Sequence, residues 1–191
     1  MFWIKIHLRR FRSHQRNVQK CQIYNTSIFN GCQNFSWLEA PDWTLVPKLS
    51  NINMQYCYSM KEFPFEGQGT RPINLQILNF YESGLSSLII TDYDKIKNID
   101  IYNNNRTPLY TVNLSGCSNL NELRVESCSY LSGLNLSNCM ALPSANFYSL
   151  NRLKELSLYN CSSMTDARFI DIGDRLPNDE YKYTTINWGN N

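Results

Sequence analysis

The chain has 191 residues and a net charge of +2, with 18% charged residues, which suits one domain with a sizeable core. No apolar stretch approaches the ~18 residues of a membrane-crossing helix. The net charge is low but uneven; the basic start could be read as a nucleic-acid or membrane arm, yet a cap is the better reading and no nucleic-acid partner is expected. Both histidines, His7 and His14, lie near the start, so the rest of the chain lacks the base that a Ser or Cys nucleophile needs; zinc-protease and phosphate-loop motifs are absent.

Residues 1–37 read as a basic N-terminal cap. Lys5, Arg9, Arg10, Arg12, Arg16 and Lys20 fall in the first 20 residues with no acid, and the remainder carries a net −4. Phe2, Ile4, Ile6 and Leu8 alternate with Trp3, Lys5, His7 and Arg9, the pattern of a half-buried strand whose charges blunt a free edge. A signal peptide is a poorer reading, because no sustained apolar core or small-residue cleavage site follows.

Residues 38–175 repeat. Leu109, Val112, Leu114 and Cys117 are followed at eleven-residue intervals by Leu120, Leu123, Val125, Cys128 and by Leu131, Leu134, Leu136, Cys139. Leu142, Ala145, Phe147, Leu150, then Leu153, Leu156, Leu158, Cys161, then Met164, Ala167, Phe169, Ile172 keep the register. Upstream units start at Leu85 and Ile96, with a two-residue insertion near Arg106–Pro108; a unit from Leu75 is one residue short, and others start at Leu49 and Met60. Leu38, Pro41, Trp43 and Val46 fit loosely.

In a helix, positions 1 and 6 would sit ~140° apart and form no single stripe. The L-x-L step is a strand signal, and Gly116, Gly133, Ser115, Asn138 and Pro143 are turn residues. The spacing predicts a leucine-rich-repeat solenoid of parallel, right-handed β coils with little helix. A leucine-rich coil needs ~20–29 residues, so two units complete one coil, with positions 1, 4, 6 and 9 pointing inward. Roughly six coils, ~4.8 Å apart, would make a rod about 30 Å long. Position 9 holds Cys57, Ser83, Tyr93, Asn104, Cys117, Cys128, Cys139, Leu150 and Cys161. A ladder of buried free thiols donating to carbonyls is expected there, since stacked rungs set Cβ vectors parallel and the spacing suits no metal. No cofactor is expected.

The end also looks capped. Asp166 could N-cap a short helix with Ala167, Phe169, Ile170 and Leu176 on its apolar face. Residues 176–191 would close the single domain with a strand near Tyr183–Trp188.

The run VNLSGCSNLNELRVESCSYLSGLNLSNCMAL resembles the BspA-like and internalin-like leucine-rich-repeat proteins of bacterial surfaces. Their L-D-V-S-x-N-T-A-L half-repeat is matched by Val112–Leu120 and Leu134–Leu142, and TDARFIDIGDRLP with TTINWGNN looks like their closing segments. Cys stands where that family carries Asn. The resemblance implies a secreted or surface-exposed recognition protein whose ligand is a protein or glycan, of host origin in that setting.

Alternate units fall on opposite sides of the rod. One side presents Asn79 and Tyr81, Asp100 and Tyr102, Arg124 and Glu126, Asn146 and Tyr148; the other presents Ile89, Thr91, Asn113, Ser115, Asn135, Ser137, Ser157 and Tyr159. Aromatic and Arg side chains carry binding energy that small polar residues do not. Tyr81, Asp100, Tyr102, Arg124, Glu126, Asn146 and Tyr148 are therefore the candidate partner-binding residues of a monomeric, non-enzymatic module. Two other readings are a polysaccharide-acting solenoid that uses Asp100 and Glu126, for which ~6–9 Å between carboxylates would suffice, and an intracellular interaction scaffold.

Overall fold

The computed structural model describes residues 26–28, 30, 31, 33, 42–65, 70–102, 104, 105, 108–173 and 185–189. The expected cap strand over residues 2–8 lies outside these. The strands are β1 (Thr26–Ile28), β2 (Asn51–Asn53), β3 (Ile77–Asn79), β4 (Ser87–Ile89), β5 (Asn98–Tyr102) and β6 (Thr111–Asn113). They continue as β7 (Glu122–Glu126), β8 (Gly133–Asn135), β9 (Ser144–Leu150), β10 (Glu155–Ser157), β11 (Asp166–Ile172) and β12 (Thr185–Asn187).

These strands form two parallel sheets. One has seven strands in the order β1-β2-β3-β5-β7-β9-β11, the other five in the order β12-β10-β8-β6-β4. Successive units therefore alternate between sheets, and two units make one coil. Thr111 pairs with Gly133 and Gly133 with Glu155, while Arg124 pairs with Asn146. Each step is one pair of units. The insertion between β5 and β6 does not mix the faces, because Asp100 still opposes Arg124 and Ile89 still opposes Asn113. Among the described residues, the last five coils carry a strand on both sides, where roughly six coils had been expected. Across from β2 there is only an isolated bridge, Glu62 to Ser87.

The core is the set of inward columns. Among the described residues, positions 1, 4, 6 and 9 are buried from Leu49 to Cys161, with Leu123 only half-buried. Each buried Leu or Ile contributes roughly 2–3 kcal/mol from removed apolar surface. No single coil could bury its own apolar edge; the stack does it collectively.

Many corners share a pattern. At Cys57, Ser83, Cys117, Cys139 and Cys161 the N–H of position 9 bonds the carbonyl of position 6, as in Cys117 to Leu114 (3.2 Å) and Cys139 to Leu136 (3.1 Å). The preceding position 8 sits at positive φ in Tyr56, Glu82, Asp92, Gly116, Ser127, Asn138, Ser149, Asn160 and Asp171. At position 5, Asn53, Asn79, Asn113 and Asn135 each accept the N–H two residues on, at 2.9–3.1 Å, which pre-shapes the same corner.

The thiol ladder is present and its geometry is regular. Cys117, Cys128, Cys139 and Cys161 are free and buried, and donate to the carbonyls of Ile90, Ile101, Leu114 and Leu136 of the preceding coil at 3.5, 3.4, 3.3 and 3.1 Å. Asn104 does the same with its amide, to Phe80 O at 3.1 Å, and also accepts from Ser83. The buried hydroxyl of Tyr93 donates to Pro72 O.

Two expectations are corrected. Asp166–Ile172 is strand β11, paired with β9 in the repeat register, and not a capping helix. Ala167, Phe169 and Ile172 belong to the inward column, and a seven-residue partner strand offers more hydrogen bonds than an isolated turn of helix. Trp43–Leu45 is a 3-10 turn capped by Asp42 instead of a strand. Buried Trp43 anchors it through Nε1 to Pro64 O (3.1 Å), a fixed point beside the first complete coil. The final strand appears as β12.

Candidate functional site

The outer face of the seven-stranded sheet gathers the candidate residues in columns. Position 5 runs Asn53, Asn79, Asp100, Arg124, Asn146, Arg168 across neighbouring strands. Position 7 runs beside it as Gln55, Tyr81, Tyr102, Glu126, Tyr148, Ile170. Period-two alternation puts both columns outside while Leu78, Ile99, Ile101 and Val125 stay inside.

Aromatic contacts turn the position-7 column into a ridge. Tyr81 and Tyr102 stack with centroids 5.3 Å apart and planes 25° from parallel. The Arg124 guanidinium lies 3.8 Å from the Tyr102 centroid, and its Nε meets Glu126 Oε2 at 3.1 Å. Because β5 lies between β3 and β7, Tyr102 is covered on both sides, by Tyr81 and by Arg124. Tyr56 meets Tyr81 edge-on at 5.3 Å, and Tyr58 lies 6.5 Å from Tyr56. Inspection of the sequence missed these last two. Tyr56 holds the left-handed corner position, which the repeat template did not mark as outward.

Asp100 is the anomaly in this surface. One carboxylate oxygen, Oδ1, is buried without a hydrogen-bond partner. Arg124 sits directly across the strand pair yet is engaged by Tyr102 and Glu126. Burial raises the Asp100 carboxyl above the usual carboxylate range; Arg124 opposes that shift and Glu126 adds to it. The Tyr81 hydroxyl is also raised, chiefly by its hydrogen bond with Glu82. Tyr148 and Asn146 lie next along the columns, opposite Glu126 and Arg124. The structure thus links Tyr81, Tyr102, Arg124 and Glu126 by direct contacts, places Asp100 beside them with Oδ1 unpartnered, and sets Asn146 and Tyr148 at the border.

The opposite sheet presents a different surface. Asn135 Oδ1 accepts from the Ser137 hydroxyl at 2.7 Å, and Ser137 and Ser157 share a 2.8 Å hydrogen bond. These three polar side chains bond one another. Among the described residues, no group of three or more His, Cys, Asp and Glu could hold a metal, and no helix is long and apolar enough to cross a membrane.

No protein-family profile matches this chain, and no curated protein matches it. Among solved structures it is similar to the leucine-rich repeat domain of the type III effector XCV3220 (XopL), at 19% identity and a TM-score of 0.30 over 76% of this chain. The chain spans about half (54%) of that protein's resolved length. The strand registers and buried columns, rather than this likeness, define the solenoid.

Proposed function

We propose that the chain is a non-enzymatic recognition module that binds a protein partner through the outer face of the seven-stranded sheet. The observation that carries this is the ridge Tyr56–Tyr81–Tyr102–Arg124–Glu126, locked by ring and ion contacts before any partner arrives. Locked aromatic and Arg side chains lose little entropy on binding, which is the usual character of interface hot spots. Both sides of Tyr102 are occupied, so a sugar ring could stack there only by displacing Tyr81 or Arg124. This favours a protein over a glycan. The resemblance to BspA-like and internalin-like proteins suggests a bacterial surface or secreted setting.

The test is an array of proteins and glycans probed with the full chain and with Tyr102→Ala and Tyr148→Ala. A protein ligand that loses at least tenfold in affinity with Tyr102→Ala, about 1.4 kcal/mol, supports the reading. Ligands indifferent to both changes count against it. Asp100 and Glu126 are two carboxyls with differing environments, so Glu126→Gln is assayed on polysaccharides as well. Hydrolysis lost on that change would replace recognition by catalysis.

A further inference from the structure

The charge on the same face narrows the partner. Across positions 3, 5, 7 and 8, the described coils of the seven-stranded sheet carry Glu82, Asp100, Glu122, Glu126, Asp166 and Asp171 against Arg124 and Arg168. Both arginines are already held by acids two residues away in their own strands, Arg124 by Glu126 at 3.1 Å and Arg168 by Asp166 at 3.2 Å. Exposed Lys97 adds one positive charge next to Glu122, whose carboxylate accepts from Asn98 Nδ2, and the carboxylates of the face remain in excess. Asp100 stands within this excess with its buried Oδ1 unpartnered, beside the stacked tyrosines. A partly desolvated carboxylate with one oxygen unbonded costs free energy, and positive charge brought near it offsets part of that cost. Tyrosine edges and hydroxyls next to carboxylates also favour a guanidinium or ammonium over an anion.

We propose that this face docks a basic segment of its protein partner, with Lys or Arg side chains meeting Asp100 and Glu122 alongside the Tyr81–Tyr102 stack. The inference rests on the recognition reading above and adds the chemistry of the occupant. Binding is then steered by charge and weakens as salt screens the face.

Fluorescence anisotropy of the full chain tests it with two labelled peptides of equal length, one rich in Lys and Arg and one with every charge inverted. The basic peptide is expected to bind and the inverted one not to. Asp100→Asn with Glu122→Gln, which keeps side-chain shape, should weaken binding about tenfold. Asp92→Asn with Glu155→Gln removes two acids from the other face and should leave binding within about twofold. Equal losses from the two double variants, or equal binding of both peptides, would overturn the proposal. So would a peptide that binds only after Lys5, Arg9, Arg10, Arg12, Arg16 and Lys20 are changed to Gln, since the chain's own start would then occupy the face. A protein ligand sensitive to Tyr102→Ala but indifferent to Asp100→Asn/Glu122→Gln would leave the recognition module standing and remove the basic-segment proposal alone.

Discussion

Cys128 is fully buried and its thiol reaches two carbonyls, Ile101 O in the preceding coil and Glu126 O in its own. Burial pushes its thiol up to about 12 and that of Cys117 to about 11, and raises those of Cys139 and Cys161. The ladder should therefore be inert to alkylation at about pH 8, where an exposed thiol reacts readily. Mass spectrometry after iodoacetamide should find these four modified only in denaturant; modification of the native chain would contradict the packing. The linkage has a defined sign. An unfolded thiol ionises near ~8.5, so as pH rises the unfolded chain loses protons before the folded one. Stability is complete below about pH 8 and declines as pH climbs toward the folded values. Urea midpoints between about pH 7 and about pH 11 should show that fall, and Cys128→Ala should flatten it while costing about 1–3 kcal/mol at neutral pH. Asp100 obeys the same sign at the acid end. Its raised folded pKa means that stability is lost as pH rises from the unfolded carboxylate range through the folded value. Asp100→Asn should therefore be neutral or stabilising at pH 7, and its advantage should shrink on acidification. A markedly destabilised variant at pH 7 would mean that the carboxylate is satisfied after all.

The strands themselves were legible, because inward Leu, Ile and Val at period two leave an unambiguous mark at Leu134–Leu136 or Ile99–Ile101. The corners were not. Position 8 adopts positive φ with Tyr, Glu, Asp, Gly, Ser and Asn alike, so no residue type announces it. There the tertiary register fixes the backbone and residue preference yields. The same blindness hid Tyr56 from the binding face. At β11 two readings of one stretch competed, and pairing with β9 decided for the strand. Close coil contact also leaves a glycine requirement that periodicity cannot show. Gly84 donates its N–H to Cys57 O at 2.9 Å, and a methyl group on it would run into the Tyr58 carbonyl. Gly133 faces open space. Gly84→Ala should cost about 2 kcal/mol or more by thermal unfolding, whereas Gly133→Ala should be tolerated. Equal effects would argue against the coil spacing at that turn.

Across the molecule, the binding face exists only because alternate units land on opposite sheets. Tyr81, Tyr102, Glu126 and Tyr148 follow one another through β3, β5, β7 and β9, and each comes from every second unit of the sequence. The eleven-residue beat could reveal the columns, and it could pair them once ~22 residues were recognised as a coil. It could not reveal that Arg124 would fold over Tyr102 in preference to Asp100, since that choice depends on three side chains competing at one spot. Loss of a whole coil should preserve the alternation, while loss of half a coil should invert it for everything downstream. Deleting residues 131–152 joins Tyr130 to Leu153 and keeps each later unit on its own sheet; deleting residues 131–141 sends the unit beginning at Leu142 to the wrong side. Thermal unfolding of the two deletions, followed by far-UV circular dichroism, should show a cooperative transition for the longer deletion and a much lower or absent one for the shorter. Equal unfolding temperatures would contradict the two-unit coil and, with it, the shared face on which Tyr81, Asp100, Tyr102 and Arg124 meet.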